Sequence, residues 1–228
     1  IGIEVCGVDV VCERVDESLE AQGGGIVELN AAPGLRMHLE PSIGKGRDVG
    51  AAVIDLMFDK NENGRIPVVA VTGTNGKTTT VRLIEQILRY HNLRVGFTGT
   101  EGVVVSGHLI DTGDCSGPKS AHKVLVHPET DAAVLECARG GMLREGLGFD
   151  MCDVGIVTNI GEGDHLGLNF IDSVEDLALL KSVLVQNVAP NGLAVLNADD
   201  KHAAGMAKLT PGRVLFFTSN PDNPVVAA

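Results

Sequence analysis

The sequence predicts an α/β protein built on a mostly parallel sheet, with a small α+β unit ahead of it. Between residues 67 and 217, apolar strand-like runs alternate with helical patterns, as expected of strands joined by crossover helices. The run Val68–Val71 empties into a glycine turn and then into Lys77 and the threonines Thr78, Thr79 and Thr80. Ahead of these, Gly7–Cys12 and Gly25–Asn30 alternate like hairpin strands, and a polar stretch ending at Pro67 separates them from the rest.

The 228 residues suffice for one large or two modest domains, and 44% hydrophobic with 21% charged residues is ordinary for a globular chain. A net charge of −12, with no basic stretch to offset it, argues against nucleic acid as a main partner. Cys6, Cys12, Cys115, Cys137 and Cys152 are odd in number and never spaced as Cys-x-x-Cys, which predicts free thiols in a reducing cytosol and no zinc site. No apolar run approaches the roughly 18 to 20 residues of a membrane span, no stretch reads as a signal peptide, and no membrane partner is expected. The sequence opens on Ile1 within a strand-like stretch, so it is expected to be a piece of a longer polypeptide.

In the first unit, Asp9, Glu28 and Asn30 fall on neighbouring strands, and Glu28 and Asn30, two apart, share a face. Two readings stand: a set of hard oxygen ligands suited to magnesium, or a solvated polar face. Residues 47–58 carry Val49, Ala52, Val53, Leu56 and Met57 at helical spacing. The polar stretch 59–66 is expected to be a linker between a first domain, 1–58, and a second, 67–228.

The second domain opens on the phosphate loop. Gly73 and Gly76 let backbone amides close on phosphate oxygens, with Thr74 and Asn75 between them. Lys77 adds a point charge, the helix start at Lys77, Thr78 and Thr79 points its positive end at the same anion, and the Thr78 hydroxyl reaches a magnesium ion. The strict P-loop pattern places its first glycine where this chain has Val71, so the motif is a variant. A helix follows to about His91, with Val81, Ile84, Ile87 and Leu88 as its stripe. Val95–Thr98 is the next strand, and residues 103–110 read as a hairpin turned at Ser106 and Gly107. Residues 111–120 read as a loop, and His108, His122 and His127 as surface residues.

The strand 131–136 delivers Glu136 at its C-terminal end, where ligands bind in open parallel sheets. Residues 137–147 read as a glycine-broken loop in which Arg139 and Arg144 either clamp an anion or pair with carboxylates of this acidic chain. Val154–Val157 runs into Thr158, Asn159 and on to Asp164 and His165, an imidazole that can ligate a metal or orient a phosphate. A helix from Ser173 to Val188 turns Leu177, Leu180, Leu184 and Val188 inward, and spacing alone makes its Lys181 a snorkelling surface residue. Gly192–Asn197 and Arg213–Phe217 are the last strands.

Asp9 followed by Glu28-Leu-Asn30-Ala-Ala-Pro33-Gly34 resembles the C-terminal end of an ATP-grasp domain. That resemblance makes Asp9, Glu28 and Asn30 metal ligands and puts Arg36 and His38 near substrate. The motifs at residues 72–78, Glu136, 158–165, Lys181 and 197–200 resemble, in order, the central ATP-binding domain of the Mur ligase family. It implies that Lys77 and the loop Gly73–Thr79 hold ATP phosphates, that Thr78 and Glu136 serve Mg2+, and that His165 binds a second magnesium ion. Lys181 takes the position that many members carbamylate to make a metal-bridging carboxylate, and Arg139 is expected to assist charge neutralisation.

The order of the two units, with Asp114-Cys-Ser-Gly-Pro118 and residues 136–146, is similar to the cyanophycin synthetase family. That similarity implies an ATP-dependent amide ligase: one half adds aspartate to the backbone of the cyanophycin chain, the other joins arginine to the aspartate side chain. The full-length enzyme is expected to be a homo-oligomer. The family's adenine-binding helix and its C-terminal domain lie past Ala228, so the isolated segment is expected to be inactive. The alternatives are another Mur-type ligase, a phosphoryl-transferring kinase or NTPase, and a nucleotide-binding module without catalysis.

Overall fold

The computed structural model describes residues 5–161, 166–167 and 171–226. They form two compact units that divide between Arg65 and Ile66.

The first unit is a two-stranded antiparallel sheet, β1 (Gly7–Val11) and β2 (Gly25–Asn30), followed by the short helix α1 (Arg36–Leu39) and by α2 (Val49–Met57). Asp48 caps α2, its carboxylate accepting from the Ala51 amide at 2.9 Å. No residue of either helix is buried. Val8, Val10, Ile26, Val27 and Leu29 of the strands are all exposed, so alternation does not sort apolar from polar faces here. A hairpin of this kind is marginal as an independent unit in water.

The second unit is an eight-stranded sheet. In chain order its strands are β3 (Val68–Thr72), β4 (Val95–Gly99), β5 (Gly102–Val105), β6 (His108–Thr112), β7 (Ala132–Glu136), β8 (Cys152–Val157), β9 (Val188–Asn197) and β10 (Arg213–Phe217). Their spatial order is β10-β9-β8-β3-β7-β4-β5-β6. All neighbours pair in parallel except along the β4–β5–β6 meander. Ser106 and Gly107, with φ of 52° and 82°, make the β5–β6 turn, the primed geometry that matches strand twist. The helices are α3 (Lys77–Tyr90), α4 (Pro118–Leu125), α5 (Arg139–Glu145), α6 (Val174–Gln186) and α7 (Lys201–Gly205), with a 3-10 turn at Met206–Leu209.

The chain leaves β3 for β4, returns to place β7 between them, and then crosses to β8 on the far side of β3. The direction of winding thus reverses at β3, and ligands in open α/β sheets bind at the strand ends beside such a reversal. The inner strands are covered on both faces: β3, β4, β7 and α3 share the cluster Val71, Val81, Val95, Phe97 and Val134, while Leu135, Leu177, Leu184 and Leu196 belong to the larger cluster. Two sided burial explains why these strands read as continuous apolar runs.

Two expectations change. Residues 139–145 are helical rather than an irregular loop. Gly141 is there because a Cβ would stand 2.8 Å from the Gly117 Cα, so this glycine lets α5 approach the neighbouring loop instead of breaking the helix. Lys181 is not a surface residue: it is 0% exposed, in line with Leu177 and Leu184 on the buried stripe of α6. That helix starts at a capping box in which Ser173 and Asp176 bond reciprocally.

Candidate active site

The glycine loop at residues 73–76 follows directly from β3. Thr72 is buried and its hydroxyl donates to the Cys137 carbonyl at 2.8 Å, which ties the ends of β3 and β7 together. Gly73 has φ of 146°, and a Cβ there would stand 1.9 Å from Thr158 Oγ1, so the residue is required on both counts. Gly76, at φ 83°, precedes α3, whose first turn has no side-chain cap. The opening amides of a helix lack intrahelical acceptors, so Lys77, Thr78 and the exposed Thr79 present an anion-binding end. Lys77 Nζ curls back and donates to the carbonyls of Gly73 and Thr74, both at 3.0 Å.

The loop's other amides face the neighbouring strand. Thr74 N–H donates to the Asn159 carbonyl at 2.8 Å and Asn75 N–H to Asn159 Oδ1 at 3.0 Å. The Thr74 hydroxyl and the backbone of Gly161 bond in both directions. Asn159 was visible in the sequence only as part of a motif. The signal that could have marked it is its place immediately after β8, the strand beside β3.

Strand register sets Glu136 level with Val71, at the lip of the same loop. The Glu136 amide donates to Thr98 Oγ1 at 3.0 Å, which secures β7 against β4. The side chain is 2% exposed; Oε2 accepts from the Thr78 hydroxyl at 2.9 Å, while Oε1 is buried with no hydrogen-bond partner among the described residues. Burial pushes this carboxyl above the ordinary carboxylate range. The Thr78 hydroxyl, the Lys77 ammonium and the Thr100 backbone amide pull the other way, and Asp114 adds to the rise. An orphaned buried carboxylate oxygen beside a hydroxyl is a donor set that suits a hard divalent cation.

Lys181 reaches the loop from below: Nζ donates to the Gly73 carbonyl at 2.9 Å, the same oxygen that Lys77 engages. Arg139 opens α5 immediately after β7 and is half-buried. Burial pushes the neighbouring Cys137 thiol far up and the Cys152 thiol up to about 12, so neither acts as a nucleophile at neutral pH. His165 lies outside the described residues.

In the first unit Asp9 pairs with Glu28 and Gly7 with Asn30 across β1 and β2. Asp9, Glu28 and Asn30 therefore share one face, and Asn30 Nδ2 donates to Asp9 Oδ2 at 3.2 Å. Among the described residues no group of three or more His, Cys, Asp and Glu is placed to hold a metal ion. The sets that the structure does assemble are mixed, carboxylate with hydroxyl or carboxamide.

A cavity of about 220 Å³ is lined by Thr78, Val81, Phe97 and Gly99, and two more lie near the strand ends. One of about 650 Å³ lies past β8 and β9, lined by Asn159, Asn197, Asp200 and His202 among others. The other, about 400 Å³, lies between the α4 and α5 starts, with Asp114, Lys119 and Arg144 on its walls.

Residues 71–227 match the family model of the Mur ligase middle domain. The chain belongs to the Mur ligase middle-domain family. The similarity to cyanophycin synthetases inferred from motifs extends over almost all of it. Over 226 residues, 99% of the chain, it is 48% identical to the cyanophycin synthetase of Trichormus variabilis and 49% identical to that of Geminocystis herdmanii. It spans 25% and 26% of the lengths of those relatives. Among solved structures, a UDP-N-acetylmuramoyl-L-alanyl-D-glutamate--2,6-diaminopimelate ligase superposes with a TM-score of 0.55 at 27% identity, covering 69% of this chain and 33% of that one. The Mur ligase middle domain thus accounts for the mostly parallel sheet. Among the described residues no helix is long and apolar enough to cross a membrane.

Proposed function

We propose that this chain supplies the nucleotide-activating domain of an ATP-dependent amide ligase of the cyanophycin synthetase type. Gly73–Thr79 takes the ATP phosphates, and Lys77 turns from its carbonyl partners to the phosphate charge. Thr78 and Glu136 hold Mg2+, which when bound neutralises charge on the transferring phosphoryl group. The substrate carboxylate, an aspartate side chain of the growing polymer, attacks the γ-phosphorus of ATP, which releases ADP and leaves an acyl phosphate; the arginine amine then attacks the acyl carbon, forming the amide bond as inorganic phosphate and a proton leave. The protein's own part is positioning and charge compensation, with Lys77, Lys181 and Arg139 as the cations around the loop. The cavity beside Asp114 and Arg144 is the side from which the carboxylate arrives.

The observation that carries this reading is the Glu136 carboxylate, buried, with one oxygen on Thr78 and the other without a partner, at the lip of a glycine loop. Residues 1–58 are assigned to the end of an ATP-grasp domain, 59–66 to a linker and 67–228 to the Mur-type domain. The division into units at residue 65 supports that assignment. The face bearing Asp9, Glu28 and Asn30 is then a magnesium ligand set of the aspartate-adding half. The full-length enzyme is assigned to the cytoplasm as a homo-oligomer. Calorimetry with ATP tests the nucleotide step: binding that needs magnesium and is lost in Lys77→Ala is expected, and binding indifferent to both would refute it.

A further inference from the structure

We propose that Asn159 is a positioning residue for the phosphate loop: its side chain brackets the Asn75 backbone and decides which loop amides face the nucleotide. The inference rests on the nucleotide reading above.

The loop cannot set its own orientation. Gly73 and Gly76, both at positive φ, flank Thr74 and Asn75, and glycine imposes little conformational preference. Lys77 and Lys181 hold the Gly73 and Thr74 carbonyls, and the constraint on the Asn75 backbone comes from the segment after β8. Asn159 Oδ1 accepts from Asn75 N–H at 3.0 Å, and Asn159 Nδ2 donates to the Asn75 carbonyl at 3.0 Å. The Thr158 hydroxyl donates to the same carbonyl at 2.6 Å. With Thr74 N–H on the Asn159 carbonyl, two loop amides are turned toward β8, and the start of α3 is left to meet the anion.

Asn159 is itself held on both sides. Asn197 Nδ2 donates to the Thr158 carbonyl at 2.9 Å, and Asp200 Oδ2 accepts from Ile160 N–H at 2.5 Å. The carboxamide is chemically matched to its place, because it must donate to a carbonyl and accept from an amide at once. An aspartate of the same shape keeps the acceptor but sets a carboxylate oxygen against the Asn75 carbonyl. Protonated, it regains a donor.

The test compares Asn159→Ala and Asn159→Asp with the unsubstituted full-length protein by calorimetry with magnesium and ATP, at about pH 8 and about pH 4, where an ordinary aspartate is about half protonated. Loss of both hydrogen bonds in Asn159→Ala, and of one bond with a carboxylate oxygen set against the Asn75 carbonyl in Asn159→Asp, predicts ATP binding weakened about tenfold or more in both variants at the higher pH. The nucleotide-free unfolding temperatures stay near that of the parent. At the lower pH Asn159→Asp recovers relative to Asn159→Ala. Parent-like ATP affinity in both variants overturns the proposal, as does an Asp variant that tracks the Ala variant at both pH values. An equal fall in nucleotide-free stability in both variants also overturns it, since Asn159 would then be a structural support. Failure of the parent protein itself to bind ATP would instead refute the nucleotide reading on which this rests.

Discussion

The Thr78 hydroxyl donates to Glu136 Oε2 at 2.9 Å, joining the first turn of α3 to the end of β7. In phosphate loops that hydroxyl serves the metal, and here its partner is a buried carboxylate whose second oxygen has no hydrogen-bond partner among the described residues. Glu136→Gln keeps the shape and removes the charge. Nucleotide turnover in the full-length enzyme is expected to fall about 100-fold or more. The metal-free unfolding temperature is expected to hold or rise, because a buried carboxylate becomes a neutral amide. A steady-state assay paired with thermal unfolding checks both halves.

The same carboxyl predicts a pH dependence. Burial, the main cause, raises its pKa in the folded protein above the unfolded value. Between the two values the native state binds more protons than the unfolded state, so stability falls as pH rises across that window. Above the raised value the loss is complete and constant. Denaturation of the magnesium-free protein should show this slope upward from the ordinary carboxylate range, and Glu136→Gln should flatten it. Magnesium competes with the proton, so its affinity is expected to increase with pH across the same window.

The two loop glycines should differ in kind. In Gly73→Ala the new methyl would overlap Thr158 Oγ1 at 1.9 Å, at a φ of 146°; in Gly76→Ala nothing lies closer than 4.0 Å. Gly76→Ala then carries only the cost of a left-handed non-glycine residue, about 1–2 kcal/mol. Gly73→Ala is expected to abolish nucleotide binding. Chemical denaturation and ATP titration of the two variants order them, and equal effects would contradict the packing described.

Much of the site was legible because its parts are local. The strand, glycine loop, lysine and threonines lie within a dozen residues, and Glu136 is marked by its place at a strand's C-terminal end. Long-range geometry was less accessible. The bracket between Asn75 and Asn159 spans a separation of 84 residues and depends on β3 lying beside β8. Gly140 and Gly141 suggested a loop, because the sequence does not show that Gly117 approaches that helix. Lys181 is instructive: it stands four residues after Leu177 and three before Leu184, on the buried stripe, and only the habit of placing lysines in solvent hid it.

Lys181 carries its own prediction. Its Nζ donates to the Gly73 carbonyl, which is a contact of an amine. With the amine as the working group, Lys181→Ala is expected to weaken ATP binding, and small alkylamines to restore part of it where small carboxylates do not. The reverse pattern would assign the position to a carbamate instead.

The central claim is that the loop activates a carboxylate for attack by an amine. Its most direct test is ADP release by the full-length enzyme, measured together with incorporation of labelled arginine into an aspartate-backbone primer. The account predicts ADP release that requires both primer and arginine, matches the arginine incorporated, and disappears in Lys77→Ala. ADP released without the amine, or arginine incorporation undiminished in Lys77→Ala, would contradict it.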